Sequence, residues 1–449
     1  MTDKTITFRK FSQKVLPQPD LSVAPVIKNT HTQVKHYREA AWQNYQSKLI
    51  PTTNEDEWRR TNLKGVDFAS LRLWDDVKNN ITLPAAPVGN TTKNQTANTI
   101  LLTPDSAKIY LDTSLSEKGL IFDTLENLEK QKPELIEKII SRLNVQTLPK
   151  FSALAGAIGF KGIYLYIPKN LNVEVPLASM YWAPGNGFAH SLHLFVYLDE
   201  GSSVTYVHES SSPASTAGSS DSVFSGLIDV YVGTAAHLNF VELQSWGENV
   251  INFTRETVEV DQDGSIDWIF GALGSKLTKN YSALSLSGKG ANGKMSGFYF
   301  TDKDQHLDHD TRQNHLAANT TSDLLFKGAL LDQSHSVWKG MIYASPEAGK
   351  TDGYQSNRNL ILSRQARADS IPGLEILTDD VRCTHGATVG KIDEEQVFYL
   401  QSRGLSRGDA EHLIVEGFFD PIMQRIPFEE IRNRFQDSIK GKMESMHER

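Results

Sequence analysis

A mainly β protein is predicted, with a long β-solenoid body held between a helical N-terminal part and a helical C-terminal part. Three observations in the 449-residue sequence predict it. The hydrophobic period is helical before about residue 160, becomes two between 160 and 390, and is helical again beyond Gly390. This long middle region consists of short runs rich in β-branched and aromatic residues, separated by Gly, Asp, Asn and Ser. Within it a small-residue turn followed by an alternating strand recurs at a loose but persistent spacing.

In chain order, HTQVKHYREAAWQNYQSKL (31–49) places Val34, Tyr37, Ala41, Tyr45 and Leu49 three or four apart, one apolar stripe on a helix that Pro51 ends. The stretch TLPAAPVGNTTKNQTANT (82–99) is polar, aperiodic and punctuated by proline, as a linker is. A helical patch at TLENLEKQKPELIEKIISRL (124–143) closes the first unit. The β body has repeat anchors at Val204, Leu238, Ile266, Met295, Val337 and Ile371, which are 34, 28, 29, 42 and 34 residues apart. Such spacing favours stacked coils, each burying its face on the next, over a sandwich. ESSSPASTAGSSDS (209–222) reads as a mobile loop. Asp393 is a helix N-cap with Gln396 three residues on, the helix EEQVFYLQSR stops at Gly404, and Ser406 starts another with Ala410, Leu413 and Ile414 on one face. PFEEIRNRFQDSIKGKM makes a last amphipathic helix. The boundaries drawn this way are 1–150, helices with a linker; 151–385, the β body; and 386–449, helices.

Composition limits function. Lys plus Arg is 46 against 54 for Asp plus Glu, a net charge of −8, so no basic face draws nucleic acid or anionic lipid. One cysteine excludes an internal disulfide framework and any self-contained Cys₄ metal or cluster site. The N-terminal residues have neither a secretory nor a transit pattern, and no run is apolar enough to span a bilayer. A soluble cytoplasmic protein is expected.

Several motifs invite chemistry. ASPEAGKT (344–351), with Ala344, Gly349, Lys350 and Thr351, fits a loose phosphate loop, yet a strand-like run follows where a helix should open toward phosphate. GKGANG (288–293) likewise precedes a strand and reads as a turn. DKDQHLDHDTRQNH (302–315) gathers His306, His309 and His315 with four aspartates; a polar insertion in the solenoid is the plain reading, and a metal-dependent β-solenoid enzyme is the alternative. In DDVRCTHGATVG the single cysteine, Cys383, stands two residues before His385, so on an extended strand both side chains share a face. That arrangement serves a shared metal or an activated thiol, and a buried inert cysteine fits as well.

DDVRCTHGATVGKIDEEQVFYLQSRGLSRGDAEHLIVEGFFDPIMQRI closely resembles the C-terminal signature of the SufB/SufD family, scaffold proteins of the Suf iron–sulfur cluster assembly machinery. GKTDGYQSNRNLILSRQARADSIPGLEI, QHLDHDTRQNH, SVWKGMI and PTTNEDEWRRTNL extend the resemblance over most of the chain. It implies a right-handed parallel β-helix between helical domains, and a non-enzymatic subunit of a SufBCD complex. A SufB-type and a SufD-type chain would pair through their β-helices, and each would carry a SufC ATPase on its C-terminal helices. CTHGA, where the SufB type has a word like Cys-x-His-Glu-Ala, and the absence of a second cysteine make the chain similar to the SufD type. The resemblance puts His385, and less directly Cys383, at a cluster-assembly interface shared with SufB, with His385 as the metal-facing group. It implies no cofactor held tightly by the isolated chain, only a cluster assembled transiently with SufB. Phe418, Phe419, Leu413 and Ile414 are the candidates for the SufC-facing surface, and a homodimer through the β-helix edge stays open for the isolated chain.

Overall fold

The computed structural model describes residues 18–27, 31–73, 98–159, 161–183, 185–426 and 428–447. The N-terminal residues read for targeting signals, and nearly all of the 82–99 linker, lie outside these. The N-terminal part holds α1 (Thr32–Ser47), β1 (Arg72–Leu73), β2 (Thr99–Leu102), β3 (Ala107–Tyr110), α2 (Thr113–Glu117), β4 (Ile121–Thr124), α3 (Leu125–Gln131), α4 (Pro133–Ser141) and α5 (Lys150–Ile158). Val34, Tyr37, Ala41 and Tyr45 form the buried stripe of α1 as expected, but the helix stops at Ser47 and leaves Leu49 exposed. The 124–143 patch splits into α3 and α4, because Pro133 has no amide to continue a helix and fits best at the start of a new one.

The body is a parallel β-helix of eight coils, each contributing one strand to each of two sheets. Sheet A contains β5 (Gly162–Ile167), β7 (Phe188–Leu198), β9 (Ser222–Val232), β11 (Val250–Val260), β13 (Leu277–Leu286), β15 (His306–His315), β17 (His335–Ala344) and β19 (Arg367–Ile376). Sheet B contains β6 (Asn172–Trp182), β8 (Ser203–Ser211), β10 (His237–Ser245), β12 (Ser265–Ala272), β14 (Asn292–Thr301), β16 (Thr321–Leu330), β18 (Thr351–Ile361) and β20 (Val381–Lys391). Alternate residues of every strand enter the lumen, where Tyr206, Phe240, Trp268, Met295 and Leu324 stack coil upon coil. The strands β2, β3 and β4 finish the N-terminal end, β2 and β4 pairing with β6 and β5.

One lumenal column runs Val204, Leu238, Ile266, Gly293, Ser322, Gly353 and Cys383, with separations of 34, 28, 27, 29, 31 and 30 residues. The first three anchors therefore stack in register. Met295 belongs to the next column, and Val337 and Ile371 lie in sheet A, so the 42-residue step marks a change of sheet and not an insertion. DKDQHLDHDTRQNH accordingly contains a regular strand, β15. Its outward Asp308 pairs with Lys279 at 2.9 Å and Asp310 with Lys339 at 3.3 Å, while its backbone is zipped between β13 and β17. Ladder hydrogen bonds need no apolar side chains once each polar group has a partner.

The C-terminal helices are α6 (Glu394–Ser402), α7 (Arg407–Met423) and α8 (Glu429–His447). Asp393 and Ser406 cap α6 and α7, and Gly404 closes the turn after α6 with a φ of 97° that favours glycine. The capping contact of Asp393 is to the Glu395 amide, at 2.9 Å. Both longer helices run back along the outer face of sheet B, where Val415, Phe419, Ile422, Phe435 and Ile439 pack on Val207, Ile269, Phe298 and Phe300. Four polar anchors reinforce that seam: Arg425 on Asp267, Arg434 on Glu209, Lys442 on Asp302, and Lys327 Nζ on the Phe418 carbonyl at 2.6 Å. Glu209 to Ser211 end strand β8, so the polar stretch read as a loop from 209 begins at 212.

Candidate functional site at the open last coil

Because α7 and α8 lie on a flank, the end of the β-helix is bare among the described residues. Among the described residues β20 pairs only with β18 and β19 only with β17, so both terminal strands keep one unpaired edge. The strand β20 runs to Lys391, and the glycines of HGATVG thus lie inside it. They form no turn, and exposed Gly390 and half-buried Gly386 sit on an edge where a missing side chain costs little packing.

Cys383 and His385 both point to the lumenal side of β20, as two residues apart on a strand must. With no ninth coil above them among the described residues, His385 is exposed and Cys383 half-buried. Burial is the first cause that pushes the Cys383 thiol above its ordinary value; nearby Asp352 adds to it, and the Gly353 backbone partly opposes it. The resting thiol is therefore protonated and inert at neutral pH. Alkylation of Cys383 by iodoacetamide is expected to be slow at pH 7 and to rise about tenfold per pH unit to beyond pH 9, because only the thiolate reacts. A rate that levels off below pH 8 would contradict this.

His315 meets the same column from two coils below. A Cβ on Gly353 would lie 3.3 Å from both Cys383 Sγ and His315 Nε2, which are thus no more than twice that distance apart through the gap that glycine leaves. His315 is fully buried, with Nδ1 2.8 Å from Thr320 Oγ1 and Nε2 2.8 Å from Ser322 Oγ, and burial pulls its pKa down to about 4, so the ring is neutral.

The other two histidines of that segment go elsewhere. His309 enters the lumen six residues before His315, roughly 20 Å along the strand, and stacks on Tyr299. His306 faces outward, 2.9 Å from Thr61 Oγ1, with its ring 4.8 Å from that of His335. Thr61 also hydrogen-bonds Asp308, and Trp58 of the same EWRRT stretch packs on Phe151 and Phe253, so this N-terminal segment is a strap across sheet A. The three histidines cannot converge on one ion. Among the described residues no three His, Cys, Asp or Glu side chains are grouped to hold a metal. The phosphate-loop lookalike is the turn between β17 and β18: Lys350 has a φ of 61° and Thr351 opens a strand, so no helix N-terminus is present to receive phosphate.

A model of the SufBD core domain of the Suf iron–sulfur cluster assembly system matches residues 181–418, and a model of the SufBD N-terminal region matches residues 23–178. The chain belongs to the SufBD family. An iron–sulfur cluster assembly SufBD family protein of Staphylococcus saprophyticus is 32% identical over 330 residues, covering 72% of this chain and 70% of the relative. Those of Staphylococcus haemolyticus and Staphylococcus aureus are 31% identical over the same shares. The SufBD core match begins within β6 and ends within α7, and so takes in the open coil and its two inward residues.

On the C-terminal helices the sequence-chosen residues divide. Phe419 is 1% exposed and stacks edge-on against Phe298, so it belongs to the seam with sheet B and cannot meet a partner. Phe418 is half-buried under Lys327, Ile414 is half-buried, and Leu413 is 48% exposed. Sequence reasoning missed Phe398 and Tyr399 on α6, 73% and 56% exposed, and Leu405 in the turn after it. Their signal was readable: four consecutive apolar residues, VFYL, in a nine-residue helix that buries only Val397. No helix among the described residues is long and apolar enough to cross a membrane.

Proposed function

We propose that this chain is the SufD-type scaffold subunit of a SufBCD-like assembly, a non-enzymatic cytoplasmic protein that builds iron–sulfur clusters with its partners. The observation that carries the proposal is the inward Cys383–His385 pair on a coil that none of the described residues covers. A SufB-type chain docking on the free edges of β19 and β20 would complete the ladder and close a compartment around the pair. One imidazole and one thiol cannot saturate an iron–sulfur cluster, so the remaining ligands must come from the docked chain. The cluster is cargo, formed there and passed on. His385 is the principal ligand and Cys383 the secondary one, since the imidazole is exposed whereas the half-buried thiol must first lose a proton that burial holds on it. Phe398, Tyr399 and Leu413 form the surface we assign to a SufC-type ATPase, whose nucleotide cycle would pull on α6 and α7 and so on the end of the β-helix.

The test is co-expression of the tagged chain with untagged SufB-type and SufC-type proteins. A stoichiometric complex is expected, and Phe398→Ala with Tyr399→Ala should remove the ATPase while keeping the paired β-helices. A tagged chain that elutes alone would refute the scaffold reading. The isolated chain should sediment as a pair formed through the same edge, and Leu374→Lys should return it to a monomer.

A further inference from the structure

The lumen changes character in its middle coils, where apolar ladders give way to Glu242 and Gln244 on β10, Asn252, Thr254 and Glu256 on β11, and Thr278, Asn280 and Ser282 on β13. Glu256 accepts from Asn280 Nδ2 at 2.7 Å and Ser282 Oγ at 2.5 Å and also hydrogen-bonds Glu242. Glu242 is more than nine-tenths buried, and its Oε2 has no partner. Beside it lies a cavity of about 10 Å³, whose polar lining is Glu242, Gln244, Asn252, Thr254 and Ser210. That is space for one water-sized body.

The hydrogen-bond directions around the cavity restrict what that body can be. Gln244 Nε2 donates to Thr278 Oγ1 at 2.7 Å and to the Gly274 carbonyl at 3.5 Å. Asn252 Nδ2 donates to Gln244 Oε1 at 2.9 Å and to Thr278 Oγ1 at 3.5 Å, and Thr254 Oγ1 donates to Asn252 Oδ1 at 2.8 Å. Every donor of these three side chains is thus committed to a bond within the wall. Their oxygens face the cavity as acceptors, beside Glu242, which the otherwise unpartnered Trp268 ring N–H and Glu256 approach, and beside Ser210 Oγ, 3.1 Å from His208 Nε2. A water there would find no free donor in Gln244, Asn252 or Thr254 for its own lone pairs, whereas a bare cation is satisfied by oxygens alone. A single carboxylate in the wall matches one positive charge. A divalent ion would demand more carboxylate and more ligands than the wall offers.

We propose that this cavity binds a desolvated monovalent alkali cation, sodium or potassium, held by Glu242 Oε2 and the side-chain oxygens of Gln244, Asn252, Thr254 and Ser210. The ion pins β10 to β11 across the lumen and neutralises a carboxylate that no lysine or arginine of the described residues pairs with. The proton is its competitor. Burial, then Glu256, push the Glu242 carboxyl up, so acid displaces the ion and binding strengthens toward pH 8. This site is independent of the partner-binding end.

Two measurements on the full chain decide it. Crystals equilibrated with thallium(I) at pH 8 should show an anomalous peak in the cavity within coordination distance of Glu242 Oε2; density for a neutral water with no anomalous signal would overturn the proposal. At constant ionic strength, replacing tetramethylammonium by potassium or sodium at about ten times the dissociation constant should raise Tm by about 2 °C. The larger shift identifies the preferred ion, and Glu242→Gln should abolish it. An equal Tm in all three salts would count against the site, and if Glu242→Gln does not fold, the diffraction experiment on the unaltered chain still decides.

Discussion

Arg434→Ala is expected to detach α8 from sheet B and to destabilise the protein by roughly 2–4 kcal/mol. The Glu209 side chain is wholly buried on the outer face of β8, where Arg434 grips it with two bonds of 2.6 and 2.9 Å and Ser211 Oγ adds one of 2.6 Å. Removing the guanidinium strands a carboxylate under the apolar face of α8, which is the costly half of breaking a buried pair. The expected loss is set below the ~3–5 kcal/mol of a fully enclosed pair, because the Arg434 side chain is itself 46% exposed and water can follow it in. Urea unfolding followed by far-ultraviolet circular dichroism should show a lower midpoint, and hydrogen exchange should place the new fast amides in α8. Glu209→Gln in the Arg434→Ala background should recover much of the loss, since a neutral amide is cheaper to bury. A midpoint within 0.5 kcal/mol of the parent, the range of an ordinary surface change, would show the pair to be ornamental.

His385→Ala is expected to leave folding and complex formation intact while cluster output falls by more than the ~10–100-fold lost when a residue merely supporting a ligand is changed. The side chain is exposed and holds no part of the core, so its removal leaves no cavity. Cluster formation on the reconstituted complex, followed by its visible absorption, separates the outcomes. Intact output would sink the assignment of His385 and leave the scaffold reading standing. Cys383→Ser should cost far less, and a loss equal to that of His385→Ala would reverse the order of the two ligands.

Much of this architecture was legible in the sequence. The change of hydrophobic period located the β body, and the stripe of α1, the caps of α6 and α7, the turn reading of GKGANG and the rejection of ASPEAGKT as a phosphate loop agree with the structure, because each rests on local chemistry. The lumenal column could be followed from Val204 to Ile266 but was lost at Gly293, where a glycine replaces the bulky anchor and only the backbone ladder preserves register. β15 was missed for the same reason: its partners are ion pairs and lumenal hydrogen bonds, which leave no apolar alternation to read. Cys383 and His385 were correctly placed on one face, yet their exposure depends on the position of the last coil, which no local pattern encodes. Phe419 was mistaken for surface because a helix facing a β-sheet and a helix facing a partner carry the same stripe.

The bare edges of β19 and β20 make the molecule, in one respect, an unterminated linear polymer. Every coil but the last has been followed by another, and the last offers the same backbone template to whatever arrives. Self-addition at this edge ends in the pair expected of the isolated chain, and charged groups at its margin, such as Arg382 with Asp352 and, beyond them, Lys391, weaken that pair. The docked chain would then act as a chain stopper as well as a partner. Supply must follow: a cell making this chain in excess of its stopper would accumulate ends, and solubility would be governed by the ratio of the two chains more than by the stability of either.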